Sequence, residues 1–184
     1  MRALSGVFVM NKTLSDDIDG ILALQGIGWF MRKAISLATV TLSIKEYEEQ
    51  RDDSTSVTHI DIEQTATGGI GGTTELRILD WTERHHSDNL FGELLGKSRW
   101  RKLEEIGGDD AEFLATGWLD EVKETGLVES YVVSDDNGWT ARQIWGFEEF
   151  EEARYYTRHV VVKKDDTVKK AKLVYNFIKS QDKD

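Results

Sequence analysis

Apolar positions change their spacing twice along this chain. Residues 4–10 form a short apolar run of strand length, and from residue 18 the spacing becomes helical, with Ile18, Ile21, Leu22 and Leu24 on one face. After Gly26 and Gly28 a second stripe restarts with Ile27, Phe30, Met31, Ala34, Ile35 and Ala38, which predicts two short helices joined at glycine. Thr13 or Ser15 is placed to cap the first helix, with Asp16, Asp17 and Asp19 in its first turn, where carboxylates suit the positive end of the dipole. From Thr39 the period falls to two. Val40, Leu42 and Ile44 alternate with Thr41, Ser43 and Lys45, and after a polar turn over Glu48 to Ser56, Ile60 and Ile62 alternate with His59, Asp61 and Glu63. Further strands are predicted over 73–81, 89–95, 97–103, 118–123, 127–133, 139–147 and 153–164, and Asn137-Gly138 marks a hairpin. A short helix is placed near 109–114. The last stripe, Val168, Ala171, Val174, Tyr175, Phe177 and Ile178, predicts an amphipathic helix over 166–180.

One strand, two helices and a long succession of strands is the order of a mainly β fold. The expected architecture is an antiparallel up-and-down β-barrel of about ten strands over 4–164, with an N-terminal helix-turn-helix lid and an added C-terminal helix. At 184 residues, one domain over 1–184 is expected. The chain has no cysteine, which excludes disulfides and thiolate chemistry, and no proline, which leaves its turns to Gly, Asp, Asn and Ser. A net charge of −11 repels phosphate backbones and anionic bilayers, so neither a nucleic-acid partner nor membrane insertion is expected. The N-terminus reads as lacking a leader, which predicts a cytoplasmic protein. The oligomeric state is left open.

Candidate chemistry is sparse. The run Gly68-Gly69-Ile70-Gly71-Gly72 lacks the Gly-Lys-Ser/Thr of a phosphate loop and precedes a strand pattern, so it reads as a flexible turn. His85 and His86 beside Glu83 and Asp88 are the one cluster of metal-ligand types, yet adjacent residues on a strand point to opposite faces, and no metal is predicted. No nucleophile elbow or dinucleotide fingerprint occurs. On the strand 153–164, Arg154, Tyr156, Arg158 and Val160 share one face. If that face points inward, Arg158 needs an anion or dense hydrogen bonds, supplied either by a glutamate on a neighbouring strand or by a ligand headgroup. On 139–147 the odd-numbered residues are the more apolar, which by parity turns Arg142 outward unless the interior is polar and hydrated. Lys97, Arg99 and Arg101 read either as a solvated basic face or, with Arg99 inward beside Trp81 and Tyr131, as the frame of an anionic or aromatic ligand.

The opening Gly6-Val7-Phe8, the helix entry Leu14-Ser15-Asp16-Asp17-Ile18-Asp19 and the segment Gly26-Ile27-Gly28-Trp29-Phe30-Met31-Arg32-Lys33-Ala34 resemble the intracellular fatty-acid-binding proteins of the calycin superfamily, which also includes the lipocalins. The resemblance implies a lidded ten-stranded barrel holding a lipid-like molecule, with no cofactor. It also implies that Arg142, in Thr140-Ala141-Arg142-Gln143-Ile144, and Arg158, in Tyr156-Thr157-Arg158-His159-Val160, meet a ligand carboxylate. Val160 stands where the family's Arg-x-Tyr motif has its tyrosine. The candidate ligand-binding set is Arg158, Arg142, Tyr156, Arg99, Trp29, Phe30, Trp81 and Tyr131, with no catalytic residue assigned. Two functions follow: a carrier of a hydrophobic or amphipathic small molecule, and a cofactor-free isomerase, cyclase or dehydratase that folds such a metabolite in the same cavity. An inward acid or base such as Glu63, Asp61, Glu75 or His159 would discriminate them.

Overall fold

The computed structural model describes residues 4–52 and 54–181. Residues 1–3, at the head of the segment read for a leader, and Asp53, inside the turn predicted over Glu48 to Ser56, lie outside these, as do residues 182–184. Ten antiparallel strands form one curled sheet: β1 (Gly6–Met10), β2 (Val40–Gln50), β3 (Ser56–Ala66), β4 (Gly71–Ile78), β5 (Arg84–Asp88), β6 (Gly92–Arg101), β7 (Leu127–Ser134), β8 (Trp139–Phe150), β9 (Ala153–Lys164) and β10 (Thr167–Lys179). The strand order is β4-β3-β2-β1-β10-β9-β8-β7-β6-β5, so strands consecutive in the chain pair throughout except β4 and β5, and the β1–β10 ladder joins the two halves. The free edges are β4 and β5. They approach each other along a seam held at one end by the bridge between Asp80 and Arg99 and by Trp81 N–H donating to Ser98 O at 2.8 Å.

Two helices, α1 (Asp19–Leu24) and α2 (Trp29–Leu37), follow β1 as the sequence predicts. Ile18 precedes α1 without a side-chain cap, because Ser15 is engaged elsewhere: its hydroxyl accepts from Val174 N–H at 2.8 Å and fastens the segment to β10. The predicted barrel and lid stand; the C-terminal helix does not. Residues 167–179 are strand β10, inserted between β9 and β1. The segment carries a period of two as well as a helical stripe, since Ala171, Leu173, Tyr175 and Phe177 alternate with Lys170, Lys172, Val174 and Asn176. The two-residue turn Asp165-Asp166, with Asp165 at φ 50°, decides between them by returning the chain directly onto β9.

Two strand predictions also change. Residues 89–103 give one strand, β6, because the hairpin turn falls before Gly92 (φ 75°) and Gly96 continues the ladder opposite Val132. Residues 118–123 are no strand: Trp118 alone bridges to Glu148, and the chain enters helix α4 (Val122–Thr125). With a 3-10 turn at Leu103–Glu105 and helix α3 (Ala111–Ala115), this insertion covers the outer face of β7–β9, where Ile106, Leu114, Val122, Leu127, Ile144 and Val161 form an apolar cluster.

Candidate functional site

The inner face of the sheet is apolar at two levels and polar between them. Phe8, Leu42, Ile44, Ile60, Ile62, Val128, Trp145, Phe147, Tyr156 and Tyr175 form one cluster, which fills the β1–β4 wall and the lower part of β7–β10. Leu94, Val132, Trp139, Ala141, Val160, Val162 and Ala171 form the other, beneath Ile21 of α1. Strand alternation then places Ser98, Ser130 and Gln143 in direct cross-strand register between the two clusters, and Arg158 one pair further along, opposite Trp145. On the facing wall, Glu75 and Arg77 of β4 point inward opposite Ile62 and Ile60.

Arg158 is 5% exposed and held from several sides. Its Nε donates to the Tyr156 hydroxyl at 2.9 Å, its Nη1 lies 3.9 Å from Glu75 Oε1, and its guanidinium sits 4.2 Å from the Trp145 ring centre. Its Nη2 is buried without a hydrogen-bond partner among the described residues, and so are the hydroxyls of Ser98 and Ser130. Glu75 also accepts from Arg77 Nη2 at 2.9 Å. Burial pushes the Glu75 carboxyl up, but the Arg77 and Arg158 guanidiniums outweigh it and hold the group below its ordinary range. Burial raises the Tyr156 and Tyr175 phenols, against the pull of Arg158, so both stay protonated. The result is a fixed cationic donor and two hydroxyls without partners among the described residues, walled by aromatic rings.

A hollow of about 380 Å³ opens at the seam, lined by Glu75, Arg77, His86, Gly96 and Ser98 toward the interior and by Thr82, Arg84 and Lys97 at the rim. A second, of about 280 Å³, lies at the helical end among Met10, Lys12, Asp16, Asp17, Asp19, Leu22, Arg32 and Val40.

Of the residues singled out in the sequence, Arg158 and Tyr156 come together inside. Of the two readings of Arg99 the structure has the outer one: its Nε donates to Glu129 at 2.7 Å, and its guanidinium lies 3.7 Å from the Trp81 ring centre. Tyr131 is on the same outer face, and so is Arg142, whose Nε donates to Glu129 at 2.9 Å and Nη1 to Gly107 O at 2.7 Å. Parity had indicated that direction for Arg142. Glu129, 2% exposed, is the common partner that draws Arg99, Arg101 and Arg142 outward. Trp29 and Phe30 stand on α2 with 55% and 84% of their surface exposed. His159 also lies outside the barrel wall, buried under the insertion, stacked on Trp118 at 4.1 Å and 3.1 Å from Glu148. Asp61 shares the outer face with Glu63, whereas Glu75 faces the interior.

No family model matches the chain. Among solved structures, fatty-acid-binding protein 1 of Echinococcus granulosus is similar with a TM-score of 0.59 at 15% identity, over 97% of this chain and 99% of that one. A Schistosoma mansoni fatty acid binding protein in complex with arachidonic acid gives 0.57 at 11% identity, over 97% and 98%. At these identities the likeness is one of fold, and the fold is that of the fatty-acid-binding proteins. Closer in sequence are the probable pericyclase scpY of Mollisia scopiformis, 29% identical over 181 residues (98% of this chain, 93% of that one), and pericyclase pydY of an Acremonium species, 31% identical over 169 residues (92% and 88%). The chain belongs to the family of these two pericyclases.

Proposed function

We propose that this protein is a cofactor-free pericyclase that folds a hydrophobic or amphipathic substrate inside the barrel and holds one of its oxygens on Arg158, Ser98 and Ser130. One observation carries the reading: three buried polar groups without hydrogen-bond partners among the described residues lie on the inner face between two apolar clusters. Such groups cost about 1–3 kcal/mol each when left unpaired, which a ligand oxygen would relieve.

The chemistry suits the site. In an intramolecular pericyclic closure, π bonds are exchanged for σ bonds in one cyclic movement of electrons, and no proton or leaving group departs. The demand on the protein is therefore to bring the two ends of one molecule together and to polarise the electron-poor end. Apolar walls do the first, where correct orientation is worth up to about 7–11 kcal/mol. A guanidinium fixed by Tyr156, Trp145 and Glu75 does the second, as a preorganised charge toward a conjugated carbonyl. The carrier function shares the same cavity and differs only in leaving the ligand unchanged.

The test is incubation with a linear polyene bearing a conjugated carbonyl, followed by chromatography and mass spectrometry. A pericyclase gives a product of unchanged mass and new retention time, faster than the uncatalysed closure, and Arg158→Met slows it by about a hundredfold. Recovery of the unaltered polyene bound to the protein would instead identify a carrier.

A further inference from the structure

Carboxylates are shared along the seam. Glu75 lies between Arg77 and Arg158, and Asp80 between Arg51 and Arg84. Lys97 at the rim has its own partner, Glu83, at 2.8 Å, and its ammonium lies 5.0 Å from the Trp81 ring centre. Cations therefore outnumber anions from the rim of the larger hollow to its floor, in a chain whose net charge is −11. The helical end has the opposite balance. Asp16, Asp17 and Asp19 line the smaller hollow against Lys12 and Arg32, and Arg32 is taken by Asp19 at 3.1 Å.

Two openings of opposite sign give one barrel an electrostatic polarity. A cleft lined by one sign of charge raises the local concentration of the complementary ligand and its rate of entry by tenfold or more. We infer that the seam between β4 and the β5–β6 hairpin is the mouth of the barrel and that the substrate enters through it as an anion, such as an enolate or carboxylate. This rests on the interior site proposed above. The local geometry fits a passage at that place: the sheet is unladdered there, and the side chain crossing it is Arg77, whose Nη1 lies 3.2 Å from the position a Cβ on Gly96 would take. A flexible guanidinium can swing aside where a ladder of backbone hydrogen bonds cannot. Once inside, the anionic oxygen reaches Arg158 Nη2, which is buried without a partner among the described residues.

Anilinonaphthalene sulfonate and the neutral phenylnaphthylamine share their rings and differ in charge, so their association rates in stopped flow test the inference. Lys97→Glu at the seam should slow the sulfonate about tenfold at low salt and leave the neutral amine unchanged, with the difference shrinking at high salt. Lys97→Gln should show the same direction with a smaller effect, and Lys12→Glu at the helical end should change neither rate. Slowing of the sulfonate by Lys12→Glu but not by either Lys97 variant would overturn the seam as the mouth. Arg158→Met separates the two readings: unchanged sulfonate affinity overturns the interior site and the mouth with it. Weakened affinity together with an association rate indifferent to Lys97 overturns the mouth alone.

Discussion

Ser130 is fully buried on β7, opposite Gln143, and its hydroxyl bonds to nothing among the described residues. In an empty barrel that hydroxyl is a cost, and in an occupied one it is a contact. Ser130→Ala should accordingly stabilise the free protein by about 1 kcal/mol in urea unfolding while lowering kcat/KM for the closure. A loss of both would mean that the hydroxyl is structural. The strand period shows that Tyr156, Arg158 and Val160 share a face, but with Val161 equally apolar on the other face it does not say which one turns inward. The Glu75–Arg77 pair is far harder to read. On β4 the usual pattern is inverted: Leu76, 66% exposed, faces solvent, while the charged residues on either side of it face the interior. Hydrophobicity assigns that strand the wrong face, and only the positions of Arg158 and the seam make sense of it.

The insertion between β6 and β7 acts as a buttress on the outer wall. Asp110, just ahead of α3, binds Lys163 of β9 at 2.5 Å and Lys170 of β10 at 3.0 Å. Burial raises its carboxyl, but the two ammonium groups outweigh that and hold it low. Asp110→Asn should speed amide exchange across 102–126 about tenfold and leave the β8–β9 ladder protected, as read by hydrogen-deuterium exchange. Gly146 on β8 lets the buttress lie flat. A Cβ there would collide with Leu127 and meet Trp118 at 3.0 Å, so Gly146→Ala should cost about 1–3 kcal/mol in denaturant unfolding. In the sequence, this stretch reads as an acidic, glycine-containing segment with one short helix near 109–114, followed by a strand over 118–123 that the structure does not have. Its elements are too short to show a period, and their placement depends on the outer faces of strands far away in the chain. The same holds for β10, whose residues satisfy two periods at once until the turn before it is known.

At the level of the molecule, the alternating strands, the paired helices and the hairpin turns were enough to predict a lidded barrel, because each is a local pattern. The seam was not predictable, since it is defined by strands that do not pair. Its lower end is fastened by Asp80, which accepts from Arg84 at 2.8 Å and from Arg51 at 2.5 Å. The Arg84 hydrogen bonds hold the Asp80 carboxyl well below its ordinary value despite partial burial. A carboxyl lowered on folding stabilises fully above its unfolded value of about 3.9, and that contribution fades as pH falls toward the folded one. Asp80→Asn should therefore reduce unfolding free energy by about 2 kcal/mol at neutral pH, with the gap to the native chain narrowing below about pH 4.

The position of β10 between β1 and β9 also has a consequence during synthesis. While a ribosome is still translating residues 167–179, both neighbouring strands present bare edges, and the two arms of the sheet lack the ladder that joins them. A nascent chain halted after the Asp165-Asp166 turn should stay protease-sensitive along its whole length, and release of the final strand should protect both arms together.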